Sequence, residues 1–522
     1  MKKILLLALS LSPIFPAEFL NPVIPGDYPD PSIIRVDGDY YATATTSEWA
    51  PIFPILHSRD LVNWETTGAV FQKRPGWSVG SYWAPEIHEA NGKFFVYYVA
   101  RKMNGPLSIA VATADNPAGP YTDHGPMISQ AAGSIDPLPV EDENGKRYLI
   151  WKEDGNSRKQ PTPLWIQPLS SDGLKLEGEM KEILRNDLPW EGNVVEGPFV
   201  IHKNGYFYLF YAANACCGSA CHYGVGVARA KNLLGPWEKH KNNPIIQENG
   251  IWKCPGHGSA VRDLKGNYYF IYHAYHVKDS VFVGRQAVLA KIDWNSDNWP
   301  VINSGNGTPF VAESPTTHSA EHRQFHFKDD FKSQTLDPNW QWPQNNQPVF
   351  SFSRQNGGVL ELKPNATRSQ DILGGVLALK TASGEYQAMA VLRRDSLVKD
   401  ASAGLCAFGD QENALGLSIK GSTLQLWRKG KGKLDELATR DLPPGDRLYI
   451  RLNAWDGHKF KFAISPEGQT WTDIAEDLPL EGNYLPPWDR GIRIALQVGG
   501  APDAVAKFES FAVEFVPPTL KP

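Results

Sequence analysis

Five residues that could take part in catalysis or binding occupy nearly equivalent positions in the five copies of an internal repeat. They are Asp30, Trp83, Asp136, Glu196 and His257, and each precedes the glycine of a predicted turn by eight or nine residues. Converging carboxylates either bind a divalent cation, since hard cations prefer oxygen ligands, or share the acid and base roles in cleaving a glycosidic bond. In the second case, repulsion between carboxylates raises the pKa of one of them. The alternative is that each Asp-Pro or Glu-Gly-Pro only shapes a turn.

The predicted turns belong to the elements that must position these residues. Each turn has a glycine and is followed by an aromatic strand, at residues 37–41, 91–95, 144–148, 204–208 and 265–269. Successive glycines are 54, 53, 60 and 61 residues apart, which leaves room for about four short strands in each copy. The repeat predicts an all-β five-bladed β-propeller, in preference to a β-sandwich with coincidental hairpins. Equivalent positions of the blades would then converge on a central pocket.

The motifs around these residues resemble those of glycoside hydrolase family 43. In chain order they lie at residues 21–32, 83–87, 135–137, 195–198, 256–259, 284–285 and 291–294. The resemblance implies a five-bladed propeller over residues 21–311. It also implies an inverting exo-glycosidase that releases terminal β-D-xylose or α-L-arabinofuranose from plant cell-wall oligosaccharides.

The resemblance also implies roles for the carboxylates. Asp30 resembles the general base that activates water, Glu196 the general acid, and Asp136 the residue that adjusts the pKa of Glu196 and orients it. Inversion requires the base and acid carboxyls to lie about 6.5–9.5 Å apart, so that a water fits between them. The family requires no cofactor. In some members a cation lies beside an axial histidine, so a structural calcium ion near His257 is an alternative to a buried, hydrogen-bonded histidine.

Three residues are expected to bind the sugar: Trp83, Arg285 and His257. Trp83 would offer its indole face to the sugar ring, or else pack in the core. Arg285 resembles the arginine that contacts sugar hydroxyls in xylosidase-type members, the alternative being a surface ion pair. Ser47 stands where many xylosidase-like members carry an aromatic residue, which weakens the case for a pocket restricted to xylose.

Two other functions compete with the exo-glycosidase. An endo-acting α-1,5-L-arabinanase would need a groove open across the face of the propeller, whereas an exo-enzyme needs a pocket closed at one end. A non-catalytic carbohydrate-binding propeller would have no need of Asp30, Asp136 and Glu196 together.

A second domain is expected after a polar linker at residues 312–324. Short alternating strands between about residues 325 and 516 suit a jelly-roll β-sandwich. The opening of this segment and the hairpin at residues 465–471 resemble the concanavalin-like domain that follows the propeller in many xylosidases. A structural or pocket-shaping role is favoured over carbohydrate binding, an argument from fold alone.

A zinc site is the weaker interpretation of the five cysteines, because no Cys-x-x-Cys pair is present and His222 alone cannot complete such a site. A disulfide is expected within the loop that holds Cys216, Cys217 and Cys221. Cys254 and Cys406 are expected to be buried, with Cys254 as the alternative partner of the remaining loop thiol.

The N-terminus and the overall charge bear on location and partners. Two lysines precede an apolar run that is too short to span a bilayer, which predicts a signal peptide over residues 1–17 and export to the periplasm or beyond; a buried strand is the alternative. The 52 basic and 57 acidic residues give a net charge of −5, so neither nucleic acid nor an anionic membrane is an expected partner. The expected partner is an oligosaccharide substrate, and the sequence carries no prediction of oligomeric state.

Overall fold

The computed structural model describes residues 17–316, 325–333, 335–353, 358–394, 397–398, 400–475 and 479–517. Strands dominate these residues, which contain one short α-helix, Ser280–Val283, and 3-10 turns at Gly155–Arg158, Pro189–Glu191 and Asn303–Gly305. The all-β prediction is therefore confirmed. The predicted signal peptide, apart from Ala17, and residues 317–324 of the predicted linker lie outside the described residues.

Residues 17–316, which we call the five-sheet region, contain five antiparallel four-stranded sheets in chain order. The strands of sheet 1 are Ser32–Val36, Asp39–Thr43, Ile52–Ser58 and Glu65–Phe71; of sheet 2, Ser78–Ala90, Lys93–Lys102, Leu107–Ala114 and Thr122–Ile128; of sheet 3, Ser134–Glu141, Arg147–Glu153, Leu164–Pro168 and Lys181–Leu184; of sheet 4, Val195–Lys203, Tyr206–Ala213, Gly224–Ala230 and Glu238–Lys239; of sheet 5, Trp252–Arg262, Tyr268–His276, Gln286–Trp294 and Pro300–Ile302.

The first strands of the five sheets lie next to one another in a closed circle. Each contacts the first strand of the following sheet, and the first strand of sheet 5 contacts that of sheet 1. Buried serines link neighbours in this circle: the Ile33 N–H donates to Ser259 Oγ at 2.8 Å, and the Ile87 N–H to Ser32 Oγ at 3.1 Å. Residues at equivalent positions of these strands are thereby brought close together.

The two ends of the five-sheet region are joined to each other. Strand Glu18–Leu20 pairs with Val311–Glu313, and the side chain of Asn21 exchanges hydrogen bonds with the backbone of Leu289 in sheet 5. Because the N-terminal segment binds to the last sheet, the circle of sheets is closed by hydrogen bonds as well as by packing.

A backbone irregularity marks the site end of each first strand. Asp30, Ala84, Asp136, Gly197 and His257 all have a positive φ, between 39° and 57°. In sheets 2 to 5 the strand register shifts at or beside this residue. A bulge redirects a side chain, and left-handed residues are concentrated at functional sites. In sheets 2 and 4 the left-handed residue is Ala84 or Gly197, one position after the predicted Trp83 or Glu196. The five predicted residues are therefore equivalent to within one position.

Residues 325–517, which we call the sandwich region, form two sheets that share one apolar core. The nine-stranded sheet contains His326–Asp329, Val349–Ser353, Val359–Lys363, Tyr386–Arg393, Arg447–Trp455, Lys459–Ser465, Thr472–Asp473, Leu480–Glu481 and Ala506–Phe515; the six-stranded sheet contains Gly375–Lys380, Ser402–Phe408, Ala414–Lys420, Thr423–Gly430, Lys433–Asp441 and Arg493–Gly499.

The two regions are joined by a strand pair and by a buried ion pair. Trp49–Ala50 of the five-sheet region pairs with Trp342–Pro343 of the sandwich region. Arg493, 1% exposed, lies 3.1 Å from the carboxylate of Asp27, which is also buried. Removing one partner of such a pair would leave an uncompensated buried charge, so these contacts fix how the sandwich region sits over the site.

Candidate active site

A cavity of about 680 Å³ brings together all six side chains that the sequence predicts for the site. Asp30, Trp83, Asp136, Glu196, His257 and Arg285 line it, together with Trp488 and Asp489 of the sandwich region. Asp30, Asp136 and Arg285 are nearly inaccessible, at 8%, 6% and 5% exposure, so their charges act on each other with little screening by water.

Asp30 is held as a carboxylate by the groups around it. Arg285 Nη1 lies 3.1 Å from its Oδ1, and Thr45 Oγ1 donates to its Oδ2 at 2.7 Å. Burial alone would raise the pKa of Asp30, but Arg285, His257 and His273 outweigh burial and hold it well below its usual range. An ionised, fixed carboxylate can accept a proton from water.

Asp136 and Glu196 lie on the opposite side of His257 from Asp30. Burial and the charge of Glu196 raise the pKa of Asp136 to about 6, although His257 and Lys152 oppose this rise. Asp136 also accepts a hydrogen bond from the N–H of Gly197 at 2.8 Å. Gly197 is required here, because a Cβ would lie 2.7 Å from the ring of His257 and φ is positive.

Lys152 sets the ionisation of Glu196. Its ammonium group, 1% exposed, lies 2.6 Å from Glu196 Oε2 and 3.0 Å from Asp154, and Tyr223 donates to Glu196 Oε1 at 2.8 Å. Burial would raise the pKa of Glu196, but Lys152 and Tyr223 lower it below the usual value. The resemblance gives the role of proton donor to Glu196, but Asp136 has the higher pKa of the two.

His257 lies between the two sides of the site. Its Nδ1 is 3.6 Å from Asp30 and 3.8 Å from Asp136. In the described part of the chain, no group of three or more His, Cys, Asp or Glu side chains is arranged to hold a metal ion. A structural calcium ion near His257 therefore stays a prediction.

Arg285 reaches across to the sandwich region. Its Nη2 donates to the backbone oxygen of Asp489 at 3.2 Å, and the Asp489 carboxylate accepts from Ser47 Oγ at 2.7 Å. Arg285 is thus buried and ion-paired with Asp30, so the surface ion pair considered above is wrong. Ser47, where an aromatic residue was expected in xylosidase-like chains, instead anchors the sandwich region.

Two tryptophans from different regions face each other at the wall of the cavity. The rings of Trp83 and Trp488 lie edge to face with centroids 6.1 Å apart, and Trp488 is 63% exposed. Trp83 lines the cavity as well as packing against a neighbouring apolar cluster. The sandwich region therefore contributes directly to the wall of the site.

The cysteine-rich loop is closed by two disulfides. Cys216 is bonded to its neighbour Cys217, and Cys221 is bonded to Cys254 in the first strand of sheet 5. Cys406 is free and buried. Both expectations for this loop, an internal disulfide and Cys254 as partner of the remaining thiol, are met together.

Six residues of the site were not predicted from the sequence: Lys152, Tyr223, Thr45, His273, Trp488 and Asp489. Lys152 did leave a signal, a lysine at the end of the apolar strand Arg147–Glu153 in which residues 148–151 are buried. Trp488 and Asp489 left none, because they enter the site from a loop more than 200 residues away from Arg285.

Comparisons with known proteins place these observations in a family. The model of glycosyl hydrolases family 43 matches residues 19–300, and that of the β-xylosidase C-terminal concanavalin A-like domain matches residues 328–511. A "Xylosidase/arabinosidase" of Butyrivibrio fibrisolvens is 30% identical over 461 residues, 83% of this chain and 86% of that protein. A "Non-reducing end alpha-L-arabinofuranosidase" of Bacteroides ovatus is 25% identical over 84% of this chain and 83% of that protein.

Solved structures agree with the fold. A family 43 protein of Bacillus licheniformis matches 96% of this chain and 100% of its own with a TM-score of 0.83 at 23% identity. No helix in the described part of the chain is long and apolar enough to cross a membrane. The chain belongs to glycosyl hydrolase family 43, with the concanavalin A-like C-terminal domain of β-xylosidases, and is a glycoside hydrolase.

Proposed function

We propose that this protein is an inverting exo-glycosidase that releases terminal β-D-xylose or α-L-arabinofuranose from plant cell-wall oligosaccharides. The observation that carries the proposal is one cavity in which Asp30, ion-paired with Arg285, faces the pair Asp136 and Glu196, the latter ion-paired with Lys152. Burial and the charge of Glu196 raise the pKa of Asp136 to about 6, which supports the proposal. Hydrolysis with inversion needs one ionised and one protonated carboxyl on opposite faces of the sugar.

In the proposed reaction Asp30 takes a proton from water as the water oxygen bonds to the anomeric carbon. The bond from that carbon to the leaving oxygen breaks, and Glu196 gives its proton to this oxygen. Below about pH 6 the pair holds one proton, carried by Asp136 in the empty site. Transfer within the pair supplies it to Glu196, and the Lys152 and Tyr223 contacts stabilise the carboxylate that Glu196 becomes.

The shape of the cavity supports exo action. At the Asp30 end, Arg285, Ser47 and Asp489 are all buried and bonded to one another. At the Glu196 end, the lining residues of sheets 3 and 4 include exposed ones, Ser157 and Asn193 among them. A sugar could enter from the Glu196 end and stop against the Asp30 end. An endo-arabinanase would need the Asp30 end open, so it is the second candidate.

The propeller architecture is part of the proposal. We infer that the five sheets are the blades of a five-bladed β-propeller and that the sandwich region is a jelly roll, spanning residues 21–311 and 325–516 around a linker at 312–324. The closed circle of first strands and the match to family 43 structures support this inference. Export through a signal peptide at residues 1–17 is supported by the two disulfides, which persist in oxidising compartments.

Substrate assays test the proposal directly. The parent protein is assayed with nitrophenyl β-D-xyloside, nitrophenyl α-L-arabinofuranoside, the unactivated disaccharide 1,4-β-xylobiose and linear arabinan, beside Glu196→Ala, and the anomer released is followed by NMR. We expect hydrolysis of at least one pentoside with inversion, and a loss of about 10²–10⁴-fold for the variant on unactivated oligosaccharides. Cleavage of internal arabinan bonds would favour the arabinanase. No cleavage of any substrate would favour the non-catalytic alternative.

A further inference from the structure

The loop between the second and third strands of sheet 4, residues 214–223, joins the acid side of the site to its rim. At one end, Asn214 N–H donates to the Val194 oxygen at 3.1 Å. At the other end, Tyr223 donates to Glu196. Between these ends, the linked pair Cys216–Cys217 lines the same cavity as the carboxylates. The Cys221–Cys254 bond fixes the loop to the first strand of sheet 5.

This loop lies on the leaving-group side of the site. In the proposed reaction Glu196 protonates the leaving oxygen, so the leaving sugar must lie beyond Glu196 and away from Asp30. The Asp30 end is closed by Arg285 and Asp489. The Cys216–Cys217 pair lines the cavity together with exposed residues such as Asn193, and the loop that carries it contacts Glu196 through Tyr223.

The cavity surface formed by this pair is chemically distinctive. Two adjacent, bonded sulfur atoms are apolar and polarisable, and they carry no proton to donate. The two cysteines are half-buried, and the next residue, Gly218, lies close to the sandwich region, since a Cβ there would be 3.6 Å from the Trp488 oxygen. Asn193 and Asn214 also line the cavity, and the Asn214 amide is fixed by two hydrogen bonds, donating to the Trp190 oxygen and accepting from the Ala215 N–H. An apolar surface with a few polar groups is the usual composition of a sugar or small-molecule subsite.

We propose that the Cys216–Cys217 disulfide forms one wall of a subsite for the leaving group, and that this wall binds the C–H face of a xylopyranosyl ring. A xylopyranose ring without an exocyclic carbon, its hydroxyls equatorial, presents flat faces of axial hydrogens that match such a surface. The inference rests on the proposed function and extends it, because it names the sugar beyond the scissile bond. It predicts that the enzyme distinguishes oligosaccharides from simple pentosides through this loop.

Comparing two substrates with the same terminal sugar measures the contribution of the subsite alone. Methyl β-D-xyloside and 1,4-β-xylobiose both have an alkoxide leaving group that needs protonation, and they differ in whether a ring occupies the subsite. For an enzyme that prefers arabinose, methyl α-L-arabinofuranoside and α-L-arabinofuranosyl-xylobiose replace them. The variant is Cys216→Ala with Cys217→Ala, so that no single thiol is left to exchange with Cys221–Cys254. Ser219→Ala, an exposed residue of the same loop, is the matched control.

We expect the double variant to lower the ratio of kcat/KM for the disaccharide to that for the methyl pentoside by about tenfold, which is about 1.4 kcal/mol. Ser219→Ala should leave this ratio unchanged. An equal loss on both substrates, with an altered pH profile, would show that the loop only positions Tyr223, and would overturn the inference. An unchanged ratio would overturn it as well.

Binding gives a readout that does not depend on turnover. In an Asp30→Asn background, calorimetry with the disaccharide should show an affinity about tenfold weaker when the cysteine pair is replaced. Equal affinities would overturn the subsite even if hydrolysis is observed. Weaker binding in a protein whose parent hydrolyses nothing would support the subsite and overturn the proposed function.

Discussion

The two sides of the cavity use similar residues, yet the pKa values of Asp30 on one side and Asp136 on the other shift in opposite directions. On the base side, one buried carboxylate, Asp30, faces one buried guanidinium, Arg285, 3.1 Å away. On the acid side, three carboxylates, Asp136, Glu196 and Asp154, surround the single ammonium of Lys152. The pKa of Asp30 is held well below its usual range, whereas that of Asp136 is raised to about 6.

The comparison shows that the balance of buried charges decides which side keeps a proton. Burial raises the pKa of a carboxyl on either side. At Asp30, Arg285 and two histidines outweigh burial. At Asp136, the charge of Glu196 adds to burial, and His257 and Lys152 do not outweigh the two together. A hydrolase that needs a base and an acid in one cavity can therefore obtain both from carboxylates by placing its buried cations unequally.

The largest expected effect comes from removing the ionised carboxylate. Asp30→Asn keeps the shape of the base side but cannot accept a proton, so kcat should fall by about 10³–10⁴-fold while sugar binding is retained. Steady-state kinetics and calorimetry with the released pentose measure the two quantities. Asp115→Asn, at an exposed residue, is the control. A near-normal kcat in Asp30→Asn would remove Asp30 from the base role and abolish the contrast between the sides.

Replacing Lys152, the cation of the acid side, should increase the pKa difference between the acid side and the base side. In the parent, kcat/KM is expected to fall above about pH 6 as the Asp136–Glu196 pair loses its proton. Lys152→Met removes the positive charge that favours loss of this proton. The fall of kcat/KM at high pH, which we call the alkaline limb, should therefore move to higher pH by about one unit or more. The value of kcat should fall by about 10–100-fold, because the Glu196 carboxylate formed on proton transfer loses its partner.

The pH dependence of kcat/KM separates this role of Lys152 from a structural one. Lys265→Met, at an exposed lysine, should leave the limb where it is in the parent. A limb that stays in place or moves to lower pH in Lys152→Met would contradict the assigned role. A folding defect alone would lower the amount of active enzyme without moving the limb.

The smallest effect is expected from the hydroxyl that binds Glu196. Tyr223→Phe removes one hydrogen bond to the carboxylate but keeps the ring that stacks on His273 at 5.7 Å. We expect kcat to fall by about three- to tenfold, and the alkaline limb to rise by less than it does in Lys152→Met. Tyr206→Phe, in the same sheet and outside the cavity, is the comparison. A larger shift than that of Lys152→Met would reverse the assigned order of these two contacts.

Much of the site could be predicted because it repeats. The five positions before the turn glycines are local in sequence, and equivalent strands of a repeat occupy equivalent places. The roles of Trp83 and Arg285 were less certain from sequence, since an indole or a guanidinium serves equally well in a core or at a surface. Arg285 was resolved only by its contacts with Asp30 and with Asp489 of the sandwich region.

The sequence by itself determined the all-β class, the five-fold repeat and the residues that the repeat aligns, because turn chemistry and strand patterns act over a few residues. Only the tertiary structure decided which carboxyl of the site keeps its proton. That property depends on the distances from Lys152 and Arg285 to buried carboxylates tens to hundreds of residues away. Coulomb interactions at 3 Å in a poorly solvated cavity outweigh the ordinary preference of any residue type.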